Sequence, residues 1–217
     1  MKRILPFLSF LALTATPALA GASSWDLDSA HTVSGFQATH MMFNTVRGEF
    51  GKTTGTVTLD DADLTKSAVD VTIDASTIDT RVPDRDTHLK SKDFFWVEKY
   101  PSVTFKSTKI EKVAENKYKV TGDLTMRGVT RPVVLDVDGP SKELKNPWGQ
   151  PVRAVHATGT LKRSEWGLTW NKALEAGGVL VSDDIGLDIN AELNPHVAAK
   201  SADLKADKPA AEKSAKK

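Results

Sequence analysis

The sequence contains no cysteine among its 217 residues. This absence excludes disulfide bonds, thiolate metal ligands, a thiol nucleophile and the lipid-modified cysteine of an anchored lipoprotein. A chain without disulfides is held together by its hydrophobic core alone, and this chain is long enough to bury one such core. We place that single domain at residues 21–196.

Long apolar segments are also scarce, and the longest lies at the N-terminus. Lys2 and Arg3 precede an apolar run over residues 4–13, and Ala18-Leu19-Ala20 then provides small residues at both recognition positions of a cleavage site. This order is typical of a secretory signal peptide. The run has about ten residues, whereas a membrane-spanning helix needs about 20. We therefore predict that residues 1–20 are a cleaved signal peptide and that the mature protein is periplasmic, with a permanent anchor as the alternative.

A strong excess of either charge is missing too, since the formal net charge is +1. This balance gives no sign of a nucleic-acid-binding surface. The segment 197–217 differs in composition, because it is rich in Ala and Lys and has Leu204 as its main bulky apolar residue from Ser201 onward. Such a segment buries too little apolar surface to fold, so we predict a disordered tail. Transient contact of this tail with a membrane surface is a further hypothesis.

Alternation of apolar and polar residues is the dominant pattern of the remaining sequence. Val69, Val71 and Ile73, for example, alternate with Asp70 and Thr72. This period of two predicts strands with one buried and one solvated face. About eight such strands with almost no helix between them favour an antiparallel barrel or a sandwich. The clearest other alternating positions are Tyr118, Val120, Gly122, Leu124 and Met126, then Val133, Leu135 and Val137, and finally Ile185, Leu187, Ile189, Ala191 and Leu193.

One segment breaks this alternation and is predicted to be helical. Near residues 84–92, Arg85, His88 and Leu89 share one helical face, and Asp84 is a candidate N-cap. Several aromatic residues follow directly. We expect a short helical insertion that forms a lid over one end of a barrel.

Catalytic and metal-binding motifs are not apparent in the sequence. There is no G-x-S-x-G, no His-x-His and no H-E-x-x-H, and the nine-residue spacing of His31 and His40 sends them to opposite faces of a regular strand. Arg85, Asp86 and His88 could form an acid–base cluster, but we favour a salt bridge at a helix terminus. We therefore predict a protein that is not an enzyme and needs no metal or cofactor.

A series of short segments, in order along the chain, resembles the bacterial YceI-like family. The match extends over nearly all of residues 25–193. Each segment is weak evidence alone, whereas the ordered set is specific. The segments are Trp25-Asp26-Leu27-Asp28-Ser29-Ala30-His31, Val46-Arg47-Gly48-Glu49-Phe50, Arg85-Asp86-Thr87-His88-Leu89-Lys90-Ser91-Lys92-Asp93-Phe94-Phe95, Gly122-Asp123-Leu124-Thr125-Met126-Arg127-Gly128-Val129-Thr130 and Arg163-Ser164-Glu165-Trp166-Gly167.

This resemblance implies an all-β, antiparallel, eight-stranded lipocalin-like barrel whose lumen binds a long polyisoprenoid, such as a quinone or prenyl phosphate. It also implies a periplasmic and often dimeric protein, and no certain catalytic activity. The sequence alone leaves open whether a small barrel holds a ligand or packs its own interior. The apolar residues that we predict to contact the ligand are Phe36, Met41, Met42, Phe43, Leu89, Phe94, Phe95, Phe105, Leu124, Met126 and Trp166.

The polar head group of such a ligand must stay near the mouth of the barrel, where hydrogen-bond donors are available. We predict Arg85 and His88 as the residues of that mouth, with Arg127 and Arg163 as weaker alternatives. The leading hypothesis is a periplasmic protein that binds, transports or stores an amphiphilic lipid. The alternatives are an enzyme that uses Arg85, Asp86 and His88, and a non-binding stress-response module with a packed core.

Overall fold

The structure is a computed structural model that describes residues 21–197. The predicted signal peptide at residues 1–20 and the tail from residue 198 onward lie outside the described residues. Within residues 21–197, no helix is both long enough and apolar enough to cross a lipid bilayer.

Strands make up most of the described chain, and one α-helix interrupts them. The helix is α1 (Pro83–Lys90), and short 3-10 turns occur at Leu64–Lys66, Ala75–Thr77 and Arg163–Trp166. The strands in chain order are β1 (Ser23–Leu27), β2 (Val33–His40), β3 (Asn44–Phe50), β4 (Thr53–Leu59), β5 (Ala68–Asp74), β6 (Ile78–Asp79), β7 (Ser102–Ala114), β8 (Lys117–Met126), β9 (Val129–Asp138), β10 (Leu144–Lys145), β11 (Pro151–Lys162) and β12 (Val181–Pro195).

These strands form a closed antiparallel barrel with an up-and-down order. β1 and β2 lie end to end along β12, and in the same way β3 continues into β4 and β5 into β6. The ring then runs through β7, β8, β9 and β11 and closes where β11 pairs with β12. Counting each interrupted pair as one strand gives the predicted eight-stranded barrel, which is confirmed, while the sandwich alternative is not observed. The short β10 pairs only with β11 outside this ring.

The two ends of the barrel carry different connections. At the helix end lie the turns that join β2 to β3 and β8 to β9, together with the longer connections at residues 80–101 and 163–180. At the termini end, β1 begins, β12 ends, and the connections at residues 60–67, 115–116 and 139–150 lie close together. We use these two names below.

The predicted helical insertion is confirmed, but its predicted N-cap is wrong. The helix begins at Pro83, with Val82 in the N-cap position and no side-chain cap. Proline is favoured at the first helical position because its fixed backbone angle suits the helix and it has no N–H to leave unpaired. Asp84 is exposed in the first turn, and Asp86 instead accepts hydrogen bonds from Thr80.

Candidate functional site

A cavity of about 300 Å³ occupies the barrel lumen. Its lining residues come from both ends, from Leu27 and Leu64 at the termini end to Phe94 and Leu168 at the helix end. Almost all of them are apolar. The polar exceptions include Ser67, the buried Arg163, which donates to the carbonyl oxygens of Ser182 and Leu168, and Ser34 and Thr53, whose hydroxyl groups hydrogen-bond to each other at 2.8 Å. This pair leaves the lumen suited to an apolar chain, because neither hydroxyl needs a partner from a ligand.

The strand alternation read from the sequence identifies much of this lining. Apart from Gly122, every inward member of the alternating series on β5, β8, β9 and β12 named above lines the cavity. We had used these residues to predict strands and had not included most of them in the predicted site. The lining residues missed in this way are Val69, Val71, Ile73, Tyr118, Val120, Val133, Leu135, Val137, Ile185, Leu187, Ile189, Ala191 and Leu193.

The predicted ligand contacts divide into two groups in the structure. Met41, Met42 and Phe43 are exposed in the turn between β2 and β3, and Phe43 is 82% exposed. Trp166 is buried without lining the cavity, and its indole N–H donates to the carbonyl oxygen of Leu124 at 3.0 Å. Their contact with a ligand stays a prediction, as it does for the residues that do line the lumen, which are Phe36, Leu89, Phe94, Phe95, Phe105, Leu124 and Met126.

Aromatic rings pack across the helix end of the lumen. The imidazole of His88 meets Phe94 edge-on at 5.1 Å and Trp170 at 4.7 Å, measured between ring centroids. Phe94 and Trp170 are themselves 5.3 Å apart. Below them, Phe50 contacts Phe95 at 5.5 Å. Such edge-on pairs are favourable arrangements for aromatic side chains. The helix and the loop that contains Trp170 therefore form an aromatic cap, and a lid function of this cap stays a prediction.

The arginines predicted for a mouth at this end bind backbone carbonyl groups. Arg85 donates to the carbonyl oxygen of Thr80 at 2.7 Å, and Arg127 donates to that of Gly167 at 2.6 Å. Arg163 is buried and donates to the carbonyl oxygens of Ser182, at 2.9 Å, and Leu168. Burial lowers the pKa of Arg163 from its ordinary value. These guanidinium groups hold loops to the barrel wall, because charged donors form strong hydrogen bonds with carbonyl oxygens.

The proposed acid–base residues do not converge on one point. Asp86 accepts hydrogen bonds from the backbone N–H of Thr80 at 2.8 Å and from its hydroxyl at 2.5 Å, and Arg85 contacts the same threonine. His88 instead pairs with Asp93 at 2.9 Å. The salt bridge that we favoured between these helix residues is also not observed among residues 21–197. Thr80 is the common anchor that sequence reasoning missed.

A polar cleft of about 640 Å³ opens at the termini end, and we call it the vestibule. It adjoins the lumen, since Leu64 and Pro140 line both spaces. Arg153 is its most buried charged group, with an ion pair to Asp61 at 2.8 Å. The residues that line the vestibule are Leu64, Glu115, Asn116, Pro140, Ser141, Lys142, Glu143 and Arg153.

A group of possible metal ligands lies on the outer wall. Asp28, His31 and Glu192 bring one ligand atom each to within 4.8 Å of one another. The imidazole Nδ1 of His31 hydrogen-bonds to Asp28 at 2.9 Å, and this bond lowers the pKa of Asp28 and raises that of His31. These contacts within the group join the turn after β1 to β12 electrostatically. None of the three residues lines the lumen.

Comparison with known proteins gives the same picture of the fold. A family model described as YceI-like domain matches residues 25–193. A UPF0312 protein of Photorhabdus laumondii is 39% identical over 156 residues, which cover 72% of this chain and 80% of that protein.

Solved structures agree as well. A YCEI protein of Campylobacter jejuni is 32% identical, with a TM-score of 0.62 and coverage of 73% of this chain and 90% of that one. A polyisoprenoid binding domain from Saccharophagus degradans, described as implicated in plant cell wall breakdown, shares 14% identity and a TM-score of 0.56, with coverage of 81% of this chain and 99% of that one. At that identity the likeness shows the fold alone.

Proposed function

Because this chain belongs to the YceI-like domain family, we propose that it binds the long apolar chain of a polyisoprenoid, or of a similar amphiphilic lipid, inside the barrel lumen without turning it over. The observation that carries this proposal is the continuous apolar lining of the lumen cavity. A fully packed core would offer no such space. The lumen therefore favours a binding protein over a non-binding module.

The energetics of the lumen suit a ligand with few polar contacts. Apolar area that leaves water contributes about 25 cal/mol per Å². Ser34 and Thr53 satisfy each other, so an apolar chain beside them strands no buried polar group. A long hydrocarbon chain gains affinity with each buried methylene group under these conditions. The Saccharophagus degradans domain, described as polyisoprenoid binding, shares the barrel fold, and we adopt its ligand class as part of the proposal.

A periplasmic carrier or store is the role that we propose for this binding. The signal-peptide pattern of residues 1–20 supports export to a compartment that adjoins two membranes. A homodimer and transient contact with a membrane surface belong to the same proposal as predictions.

Catalysis by Arg85, Asp86 and His88 has less support. The first two side chains hold Thr80, and His88 is paired with Asp93 and packed against Phe94. A general acid or base must reach the proton that it transfers. The aromatic contacts of His88 give it a structural role in the cap.

The direct test is recovery of a lipid from the exported protein. Protein purified from the periplasm without detergent should release an amphiphile with a long apolar chain, detected by solvent extraction and mass spectrometry. Phe105→Asp should abolish recovery, because it places an unpaired carboxylate in the apolar lumen. Thr72→Asp on the exposed face of the neighbouring strand is the matched control and should retain the lipid.

Circular dichroism would establish that both variants are folded. The proposal fails if the wild-type protein yields no amphiphile and also takes up no long-chain isoprenoid after extraction. Equal lipid recovery from a folded Phe105→Asp variant would instead show that the lipid binds outside the lumen.

A further inference from the structure

We propose that the termini end of the barrel docks on the surface of an anionic lipid membrane. Trp148 and Leu144 of the hairpin that joins β10 to β11 would enter the membrane interface, and the lysines of residues 198–217 would be attracted by the lipid phosphates. This inference rests on the proposed function, which includes contact with a membrane, and it assigns a surface to that contact. It does not depend on which ligand the lumen holds.

Three strongly exposed apolar side chains lie on neighbouring strands at the termini end. Trp148 is 83% exposed and Leu144 is 66% exposed, and both belong to the β10–β11 hairpin. Val197 is 81% exposed and follows the end of β12. Because Arg153 of β11 lies opposite Leu193 of β12, the hairpin turn and the end of β12 project from adjacent strands in the same direction.

The turn that contains Trp148 is ordered by other residues. The side-chain oxygen of Asn146 accepts the backbone N–H groups of Trp148, at 3.0 Å, and of Gln150, at 2.9 Å, and Gly149 has a φ of 81°. The indole is too exposed to stabilise this turn by packing. Tryptophan is favoured where an apolar phase meets water, because its ring is apolar and its N–H is polar. The position of Trp148 therefore suits insertion into a membrane interface.

The cations of the hairpin are available to an anionic surface. Lys142 and Lys145 are exposed, and neither forms an ion pair with another residue in the range 21–197. The acidic side chains nearest to them in the cleft are already engaged, since Asp61 and Glu143 lie 2.8 Å and 4.0 Å from the terminal nitrogens of Arg153. Basic residues beside an inserted aromatic group strengthen binding to anionic lipids.

The segment 198–217 supplies most of the net positive charge. Asp60 and Glu115 at the termini end offset the two lysines of the hairpin. Residues 198–217 contain six lysines against three carboxylates, which gives a net charge of +3. They lie outside the described residues, but the point from which they start is fixed. The N–H of His196 donates to the carbonyl oxygen of Ser24 at 2.8 Å, beside the β10–β11 hairpin.

The helix end exposes apolar residues without comparable charge. Phe43 is 82% exposed and Met42 is 60% exposed in the turn between β2 and β3, and residues 41–46 contain no charged side chain. Lys172 and Glu175 in the neighbouring loop balance each other. An anionic surface is therefore better matched by the β10–β11 hairpin, and Phe43 provides a control with the same exposure as Trp148.

Sedimentation with vesicles tests whether the protein docks. The mature protein would be mixed with vesicles of phosphatidylcholine alone, or of equal parts of phosphatidylcholine and phosphatidylglycerol, and the bound fraction measured after centrifugation. We expect at least about tenfold tighter binding to the vesicles that contain phosphatidylglycerol, and release at high salt. Equal binding to both kinds of vesicle, or binding to neither, would overturn the inference.

Two aromatic variants of matched exposure locate the contact. Trp148→Ser should weaken binding to the phosphatidylglycerol vesicles about tenfold, because the indole no longer leaves water on docking. Phe43→Ser at the helix end should leave binding within about twofold. Circular dichroism would establish that both variants are folded. A loss of binding with Phe43→Ser alone would place the docking surface at the helix end and contradict the inference.

A charge variant of the full chain tests the role of residues 198–217. Replacing their six lysines by Gln should weaken binding to the phosphatidylglycerol vesicles at least about tenfold and remove most of its dependence on salt. Unchanged binding would overturn this part of the inference. Sedimentation velocity without vesicles tests the alternative occupant, since a dimer that Trp148→Ser dissociates would assign the hairpin to a second copy of the chain.

The outcomes separate this inference from binding in the lumen. A protein that yields a lipid on extraction but does not bind vesicles would overturn the docking surface and leave lumen binding intact. A protein that binds vesicles through Trp148 but neither yields nor takes up an isoprenoid would overturn lumen binding and leave the docking surface intact.

Discussion

Arginine side chains have different partners at the two ends of this barrel. Arg85 and Arg163 near the helix each donate to backbone carbonyl groups. Arg153 near the termini has carboxylate partners and a free buried Nε within the part of the chain that the structure describes. Position along the barrel, rather than residue type, therefore decides whether an arginine binds backbone carbonyl groups or carboxylates.

Gly48 determines how much of the lumen Phe36 occupies. A Cβ atom at Gly48 would lie 2.5 Å from Cζ of Phe36 and 2.7 Å from the methyl group of Thr80. Gly48→Ala should push the ring into the lumen, weaken geranylgeraniol binding about tenfold and lower the free energy of unfolding by about 1–3 kcal/mol. Gly51→Ala is the matched control, since its Cβ meets only Thr77, at 3.7 Å or more.

Calorimetric titration and urea denaturation would measure these two effects. Adding Phe36→Leu to Gly48→Ala should restore binding, because the smaller side chain frees the space. Binding that is unaffected by Gly48→Ala would mean that Phe36 does not limit the ligand.

The pair of Asp28 and His31 predicts a defined pH dependence of stability. The hydrogen bond of this pair lowers the pKa of Asp28 below its ordinary value of 3.8. Asp28 therefore contributes fully to the stability of the fold above pH 3.8, and this contribution is lost as the pH falls through the lowered pKa. The same bond raises the pKa of His31 above 6.5, so its contribution is complete below 6.5 and is lost as the pH rises through the raised pKa. Both contributions are present together between these two values.

Asp28→Asn should therefore reduce the free energy of unfolding most near pH 5, and less at pH 3 or pH 9. Urea denaturation at the three values measures the difference. NMR titration should also show the pKa of His31 falling in the variant. A constant destabilisation across this range, with no change in that pKa, would contradict the electrostatic role of the pair.

At the scale of elements, two side chains of α1, Asp86 and Arg85, reach backwards and hold the helix to Thr80. Asp86 in the helix binds both the N–H and the hydroxyl of Thr80, and Thr80 is buried. The helix has no side-chain N-cap of its own. Its packing against the barrel therefore depends on this contact and on the aromatic cap rather than on intrinsic helix stability, which is small for so short a helix.

Asp86→Asn tests this attachment, with Asp84→Asn as the matched control in the same first turn. Both substitutions remove one negative charge near the helix N-terminus, so they lose the same interaction with the helix dipole. Asp86→Asn should lower the free energy of unfolding by about 1–3 kcal/mol more than Asp84→Asn, because it weakens two hydrogen bonds to a buried residue. Equal values in guanidinium denaturation would show that Thr80 does not anchor the helix.

At the scale of the whole molecule, the barrel is a container with one aromatic end and one polar end. The meander order of the strands places the connections alternately, so the long helical connection and the vestibule loops fall on opposite ends.

Export is the prediction that belongs to the complete chain. Expressed in a Gram-negative host, the full sequence should give a periplasmic protein, and its intact mass should be that of a chain that begins at Gly21. Ala18→Arg should block processing, because a small residue is needed at that position, and deletion of residues 2–20 should retain the protein in the cytoplasm. Periplasmic fractionation and mass spectrometry measure both results, and an unprocessed wild-type protein in the membrane fraction would support the anchor instead.

The local sequence pattern alone predicted most of the strands and the helix of this protein. Alternation on β5, β8, β9 and β12 predicted strands because side chains of a strand point to opposite faces in turn, and the inward set became the lumen lining. The break in alternation near residues 84–92 likewise predicted α1. The ordered family segments predicted a closed barrel of eight strands, which alternation alone did not distinguish from a sandwich.

Contacts between distant residues required the tertiary structure. Thr80 as the anchor of Asp86 and Arg85, and the carbonyl partners of Arg127 and Arg163, depend on how loops fold back on the wall. The vestibule combines residues of three connections and one strand that are far apart in the chain, from Leu64 to Arg153. Sequence periodicity describes one strand at a time. The ends of a barrel are formed by loops, and these loops come together only when the sheet closes.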